Sequence, residues 1–385
     1  MSNFDNLIKK ENLIIPNYNK ENFLDLIRVL YNYCGMNYSK TQGMELIEKN
    51  IVNKKHIVLI LVDGMGSYLL DKLSKGLFYD NKKMDLQAIF PTATGCVLTS
   101  LITGEFPSQT GIYGWFGYLR SDNLNYYTLK TKELISERNL TKDELNKIFK
   151  YDSIFNKLNR KVKSIQPKDL LNSIYSSYYI NDDIRYGYSN YDEAIDLIRE
   201  DVNSTFDTFT YLYIPTVDSI EHRNGPYSEI VYNEINKIET SIKKLLPLNN
   251  DTEIIITADH GQLPINEYAF MDLNKYNKYF YALPSIDMGT CTFFVNEDKK
   301  EEFLKEFNDD FKDKLLIFES DEFIKRNIFG KNMTSYAKSC LGEYIGVCKR
   351  NIMFYSGYEE IKEKILGNHT GLSKEEIMIP LIVIK

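Results

Sequence analysis

The sequence predicts an α/β protein: a mostly parallel central sheet, helices on both faces, and an inserted α+β cap. Three observations carry that expectation. Apolar runs that end in an acidic residue, HIVLILVDG (56–64) and TEIIITAD (252–259), suit strands buried on both faces. Helix-periodic segments such as IVYNEINKIETSIKKLL (230–246) alternate with them. From about Leu263 to Gly367 the alternation gives way to a charged, mixed pattern before the chain returns at His369.

The elements follow in order. Residues 20–50 read as two amphipathic helices, FLDLIRVLYNYC and MELIEKNI. The 56–64 strand leads to a helix over SYLLDKLSKGL (67–77), then a short strand over LQAIFP (86–91). TGCVLTSLITG (94–104) has helical spacing, with Gly104 as its C-cap. Next come SIFNKLNRK (153–161) as a helix, and VKSIQP (162–167) and TFTYLYIP (208–215) as strands. In the cap, CTFFVNEDKKEEFLKEFNDDF (291–311) reads as strand then solvated helix, and DEFIKRNIFG (321–330) as helix. EYIGVCKRNIMFY (343–355) reads as paired strands, and IMIPLIVIK (377–385) as a final strand. The expected division is a core of 1–262 with 368–385 and a cap of 263–367.

Composition narrows the function. With 43% hydrophobic and 26% charged residues, the 385-residue chain has enough apolar material for a sizeable core. A net charge of −7 leaves no basic surplus for a nucleic-acid polymer, yet permits a small phosphorylated substrate whose charge cations neutralise locally. The amino terminus has no secretory apolar region and no run of 18 apolar residues occurs, so no membrane contact is expected. Five cysteines without a CxxC pair read as thiols in a reducing cytoplasm.

The chemistry lies in four stations. They are Asp63 in VDGMG, Asp218 and His222 in VDSIEHRNG, Asp259 and His260 in TADHGQ, and His369 in GNHTGLS. Three of the four histidines fall in these stations, two of them with an aspartate, as suits a two-metal hydrolase. Asp63, Asp218 and Asp259 fall at carboxyl ends of expected strands, where ligands of parallel sheets collect. The spacing of four in Asp218 and His222 suits one helical turn presenting both to one cation. His56 is expected at the surface, and Glu221 as bystander charge.

Thr94 is the nucleophile candidate, because it follows FPTA at the start of a helix whose free N–H groups favour a phosphate. A threonine hydroxyl needs metal activation to attack near neutral pH. Thr92 is the next candidate; Thr99 and Ser100 lie further along the helix, facing away. The tyrosine-rich stretch 174–194 reads as packed loop, with a base or sugar platform as the rival reading.

Together VDGMG, FPTATG with SLITGEFPSQTGIYG, the DxxxH of VDSIEHRNG, TADHG and GNHTGLS resemble the alkaline phosphatase superfamily, within it the type I phosphodiesterase/nucleotide pyrophosphatase family. The resemblance runs from about His56 to the carboxyl terminus. It implies one zinc held by Asp63, Asp259, His260 and the Thr94 oxygen, and a second held by Asp218, His222 and His369, with manganese the rival metal. It further implies hydrolysis of phosphodiester or nucleotide pyrophosphate bonds through a phospho-threonine. The alternatives are a phosphomonoesterase or phosphonate hydrolase on the same scaffold, or an inactive metal-stabilised binding protein.

Two departures bear on substrate. Where the family places an Asn after the nucleophile the chain has Trp115, and where it has His in the PxxHG turn the chain has Thr110. The segment around GWFGYLRSDNLNYY is therefore expected to rebuild the substrate wall. Trp115 would stack on a base or aromatic leaving group, and Arg120 would contact an anion.

Overall fold

The computed structural model describes residues 3–358 and 364–385. Its central sheet has seven strands. In spatial order they are Lys82–Gln87, Met378–Ile384, Thr252–Thr257, His56–Val62, Thr208–Ile214, Lys161–Pro167 and Arg185–Tyr188. Met378–Ile384 runs antiparallel to both neighbours, and the remaining pairs are parallel. The fold is therefore α/β with a mixed, mostly parallel sheet. His56–Val62, Thr208–Ile214 and Thr252–Thr257 are buried at every position, so their largely apolar sequence reflects cover on both faces. Their carboxyl ends lie side by side, with Leu61 opposite both Tyr213 and Thr257.

Helices with one apolar stripe supply the cover. Phe23–Tyr33 begins where the Asn22 side chain accepts from Asp25 N, and it buries Leu26, Ile27 and Leu30 in the main core. Glu229–Lys243 buries Val231, Ile235, Ile238 and Ile242, which are three or four residues apart.

A second sheet also has seven strands, in the order Leu315–Glu319, Tyr344–Cys348, Thr290–Val295, Phe280–Ile286, Phe116–Leu119, Leu124–Tyr127 and Lys132–Glu133. Three of these come from residues 116–133, outside the 263–367 segment, and residues 359–363 of that segment lie outside the described residues. The helix Lys300–Phe311 packs Phe303, Phe307 and Phe311 against Phe293 and Leu315 of this second sheet and against Phe354. The amino-terminal helix Asn3–Lys10 sets Phe4 and Ile8 against Phe318 and Phe323.

Several local expectations need correction. Residues 153–161 form only a 3-10 turn, Phe155–Lys157. Phe155 sits in the main core there among Tyr31, Phe209 and Tyr211, so tertiary packing sets its place rather than helical period. The 67–77 helix stops at Leu73, where Ser74 turns left-handed with φ 52°. The early strand is Lys82–Gln87, and residues 88–91 carry the chain out of it and through a bend at Phe90 and Pro91 toward Thr94. Tyr344–Cys348 and Ile352–Tyr355 do not pair as a hairpin: the first joins the second sheet, and the second pairs in parallel with Glu267–Phe270. His56 is buried at the head of its strand, with Nδ1 3.0 Å from Thr208 Oγ1. Among the described residues no helix is long and apolar enough to cross a membrane.

Candidate active site

The stations converge at the carboxyl end of the central sheet as two trios, Asp63 with Asp259 and His260, and Asp218 with His222 and His369. Asp63 ends the His56–Val62 strand and its amide bonds Ile214 O at 2.9 Å. Asp218 and His222 ride the helix Thr216–Asn224, which starts just after the Thr208–Ile214 strand, and the Asp218 amide bonds Asp63 O at 3.0 Å. Adjacent Asp259 and His260 both face inward because the loop lies backbone on backbone. A Cβ on Gly66 would come within 2.6 Å of Gly261 Cα, and one on Gly261 within 2.3 Å of Glu375 O.

The three imidazoles share one arrangement. Nδ1 of His222 meets Gly367 O at 2.7 Å, that of His369 meets Thr92 O at 2.6 Å, and that of His260 meets Gly261 O at 3.3 Å. A carbonyl only accepts, so each Nδ1 carries a hydrogen and a neutral ring keeps its lone pair on Nε2. Every Nε2 points at a carboxylate. His222 and His369 lie 3.3 and 3.6 Å from Asp218 Oδ1, and His260 lies 3.5 Å from Asp63 Oδ1 and 3.3 Å from Asp259 Oδ2. The His260 and His369 rings stack at 3.8 Å and 15°, which sets the trios side by side.

Thr94 is the first residue of the helix Thr94–Thr103, and its N-cap, Ala93, has no side chain to cap the first turn. Its Oγ1 lies 3.5 Å from Asp63 Oδ2 and 3.4 Å from His260 Nε2. Thr92 is a strut instead: its Oγ1 accepts from the Thr370 amide at 2.9 Å, tying the His369 loop to the Thr94 loop. Thr99 turns back on its own helix, donating to Gly95 O at 2.7 Å.

Electrostatics show what the pocket lacks. Asp63, Asp218, Asp259 and Glu221 crowd one buried region, and among the described residues no lysine or arginine pairs with any of them. Asp63 Oδ1, Asp259 Oδ2 and both Glu221 oxygens are buried without a hydrogen-bond partner. Burial, reinforced by Asp259 and Asp218, pushes the Asp63 carboxyl well up. Burial also lifts Asp259 to about 6. Burial and the charges of Asp218 and Asp259 raise Glu221 well above the carboxylate range, so it is no solvated bystander. Burial lowers His260 to about 4 and His369 to about 3, leaving both neutral at pH 7. Burial opposes charge on His222 too, but Asp218 and the Gly367 carbonyl outweigh it and lift the ring to about 9. Uncompensated buried carboxylates at Asp63 and Asp259 facing the neutral His260 ring, and Asp218 set between His222 and the neutral His369 ring, are donor sets that divalent cations fit.

The expected substrate residues separate. Gly114 O and Thr128 Cγ2 each lie 3.3 Å from a Cβ placed on Gly95, which puts the Trp115 turn against the residue after Thr94. Trp115 is half-buried, at 6.4 Å and 75° to Tyr127, with Lys130 Nζ 5.5 Å from its ring. Arg120 is not at this site. It donates to Tyr281 Oη at 2.6 Å and Ser339 O at 3.3 Å and borders a separate cleft of about 510 Å³ with Lys300, Asp321 and Lys338. The strand Phe116–Leu119 separates Trp115 from Arg120, which opens the 3-10 turn Arg120–Asp122 at the strand's other end, a displacement that sequence proximity to Trp115 concealed.

Three contributors were missed. Tyr213 Oη donates to Asp63 Oδ2, and Gln262 Nε2 donates to Asp218 Oδ1 at 2.6 Å. Lys130 lies over Trp115 and Tyr127 with no carboxylate partner among the described residues. Tyr213 sits in a strand buried at every position, so alternation gave no signal; Gln262 adjoins TADHG, and that adjacency was the available clue. A cleft of about 100 Å³ opens alongside the Thr94 helix, bordered by Leu98, Ile102, Leu129, Gln166, Tyr175 and Tyr213. Tyr175 belongs to the tyrosine-rich stretch, which here begins not as loop but as the helix Ile174–Tyr179, and it borders this cleft.

A family profile of type I phosphodiesterase / nucleotide pyrophosphatase matches residues 57–371 and so spans every station. The chain belongs to that family. Phosphoester hydrolysis is the activity this membership supports, and the family is metal-dependent. Murine ectonucleotide pyrophosphatase / phosphodiesterase 5 has a similar fold, with TM-score 0.63 and 18% identity over 84% of this chain and 87% of that one. An inactive threonine-to-alanine variant of it in complex with AMP gives 0.61 and 18% over 84% and 87%. Phosphonoacetate hydrolase from Sinorhizobium meliloti, in complex with phosphonoformate, gives 0.62 and 15% over 85% and 89%. At these identities the likeness is one of fold. No curated protein matches the sequence.

Proposed function

We propose that this type I phosphodiesterase family member cleaves a phosphodiester or nucleotide pyrophosphate bond in a small substrate, with Thr94 as the attacking group. The observation that carries the reading is the set of three Nε2 atoms aimed at the buried carboxylates of Asp63 and Asp259 and the part-buried one of Asp218, beside the Thr94 hydroxyl. Asp63, Asp259, His260 and the Thr94 oxygen would hold one divalent cation, and Asp218, His222 and His369 the other. The N/O donor set, free of thiolate, suits zinc, with manganese the rival. Bound there, such cations lower the pKa of a hydroxyl and neutralise phosphoryl charge.

The chain's own residues supply the rest. Thr94 Oγ1 sheds its proton toward Asp63 Oδ2 and attacks phosphorus, and the bond to the leaving oxygen breaks to give a phospho-threonine. The uncapped amides of the first helical turn face the non-bridging oxygens and favour the developing charge. Water then cleaves the phospho-threonine and restores the hydroxyl. Stacked His260 and His369 hold the spacing between the trios. The cleft lined by Tyr175, Leu98 and Leu129 receives the apolar or aromatic part of the substrate. The inactive threonine variant and its bound AMP, in the murine relative, support both the Thr94 role and a nucleotide-sized substrate.

Lys130 favours a second reading. A cation beside Trp115, without a carboxylate partner among the described residues, would meet the extra charge of a phosphomonoester or phosphonate, and a phosphonate hydrolase shares the fold. The five cysteines are all buried as thiols, which supports a reducing compartment, and we assign the chain to the cytoplasm.

The test is turnover of the purified, zinc-loaded protein on a chromogenic phosphate diester, a phosphate monoester and a nucleoside 5′-monophosphate ester. Preference for the diesters is the expected result. Preference for the monoester would move the assignment to a phosphatase.

A further inference from the structure

Gln262 belongs to neither trio, yet it is buried and its amide grips Asp218. Nε2 donates to Asp218 Oδ1 at 2.6 Å and to the Asp218 carbonyl at 3.2 Å. Both of those atoms are acceptors, so the amide can present only its nitrogen to them. The opposite orientation would press Oε1 against two oxygens. The cost of this orientation is visible, because Oε1 is left buried without a partner. A packing residue would have no reason to strand an acceptor there; a residue needed as a donor would.

The surroundings hold the amide in this pose. Gln262 leads directly into the short strand Leu263–Pro264, which pairs antiparallel with Gly367–Asn368. A Cβ on Gly367 would stand 2.5 Å from Gln262 Oε1, so the amide fills the space that this glycine leaves open. The Gly367 carbonyl orients His222 through Nδ1, and His369 follows two residues later. Asp218 Oδ1 thus receives Gln262 from outside the trio while His222 Nε2 and His369 Nε2 approach it at 3.3 and 3.6 Å from within. Gln262 also stands two residues after His260, so the segment that supplies one trio holds a carboxylate of the other.

We propose that Gln262 is a positioning residue, which fixes the rotation of the Asp218 carboxylate so that the second trio is assembled before a cation arrives. The proposal rests on reading the trios as cation sites. Groups that hydrogen-bond a metal ligand from behind govern cation affinity, and losing one weakens binding by roughly ten- to a hundredfold.

The experiment measures zinc affinity at each site by chelator competition, beside the melting of metal-stripped protein, in wild type, Gln262→Met and Gln262→Glu. Both substitutions keep the length of the side chain. Gln262→Met removes the donor, and Gln262→Glu sets a carboxylate against Asp218. Expected are a roughly tenfold or greater loss at one of two sites in Gln262→Met, a larger loss at that site in Gln262→Glu at pH 8, and little change at the other. Stripped Gln262→Met should melt close to stripped wild type, and kcat on a diester should fall more than KM rises. Wild-type affinities at both sites in Gln262→Met would overturn the proposal. So would equal weakening of both sites together with a destabilised stripped protein, which would make Gln262 a packing residue. A wild type that binds no zinc would instead remove the proposed cation sites, and the positioning role with them.

Discussion

Stripping the cations and raising the pH should weaken the protein through His222. In the structure its Nε2 is 3.3 Å from Asp218 Oδ1 and its Nδ1 hydrogen is taken by Gly367 O at 2.7 Å, so a second proton on Nε2 is well received. Folding lifts the ring from 6.5 to about 9, so the folded chain holds a proton that the unfolded chain releases. That contribution is fully present below pH 6.5 and is lost as pH rises through 9. The difference corresponds to about 3 kcal/mol, an upper figure because part of the His222 side chain is open to water. With about 2 cal/mol/K of unfolding entropy per residue, a chain of 385 residues should lose roughly 4 °C in Tm. The assay is thermal denaturation by circular dichroism in excess chelator at pH 6.5 and pH 10, for wild type and His222→Gln. Wild type should show the loss and His222→Gln should lack it. Zinc-loaded wild type should also lack it, since Nε2 then has no lone pair free for a proton. Equal losses in stripped wild type and stripped His222→Gln would refute the reasoning.

Thr94→Ala should lower diester turnover by on the order of 10⁴-fold or more while bound zinc, measured by atomic absorption, stays near the wild-type amount. Gly261→Ala should destabilise the protein by about 1–3 kcal/mol in urea unfolding, because its Cβ would press on Glu375 O and only backbone movement relieves it. Lys130→Gln should raise KM several-fold for a substrate carrying a second anionic group and leave KM for an uncharged diester within about twofold, read from paired steady-state curves. Equal effects on the two substrates would detach Lys130 from the substrate wall.

Sequence and structure divide the protein along physical lines. The central strands were legible because a strand covered on both faces is mostly apolar, and 56–62, 208–214 and 252–257 each carry an apolar or aromatic run. The stations were legible because metal-binding chemistry admits few residue types and the chain has only four histidines. Their presence at strand ends and beside glycines left a pattern that survives without coordinates. The 153–161 segment failed because Phe155 answers to Tyr31 and Phe209, which are distant in sequence. His56 and Glu221 were misjudged for a related reason: burial depends on what packs over a residue, and a polar side chain carries no local mark of it.

By itself, then, the sequence determined the mostly parallel core strands at 56–62, 208–214 and 252–257, and it marked the aspartates, histidines and threonine that the fold brings together. Only the tertiary structure decided that Arg120 leaves the site, that residues 116–133 join the second sheet, and that Lys130 stands beside Trp115. It alone turned each Nε2 inward, through carbonyls at Gly367, Thr92 and Gly261, and placed Tyr213 and Gln262 behind the two carboxylates. Residue type is a local property, written one letter at a time. The direction in which a lone pair points is set by hydrogen bonds closed across as many as 277 positions of chain, and that information exists only once the chain has folded.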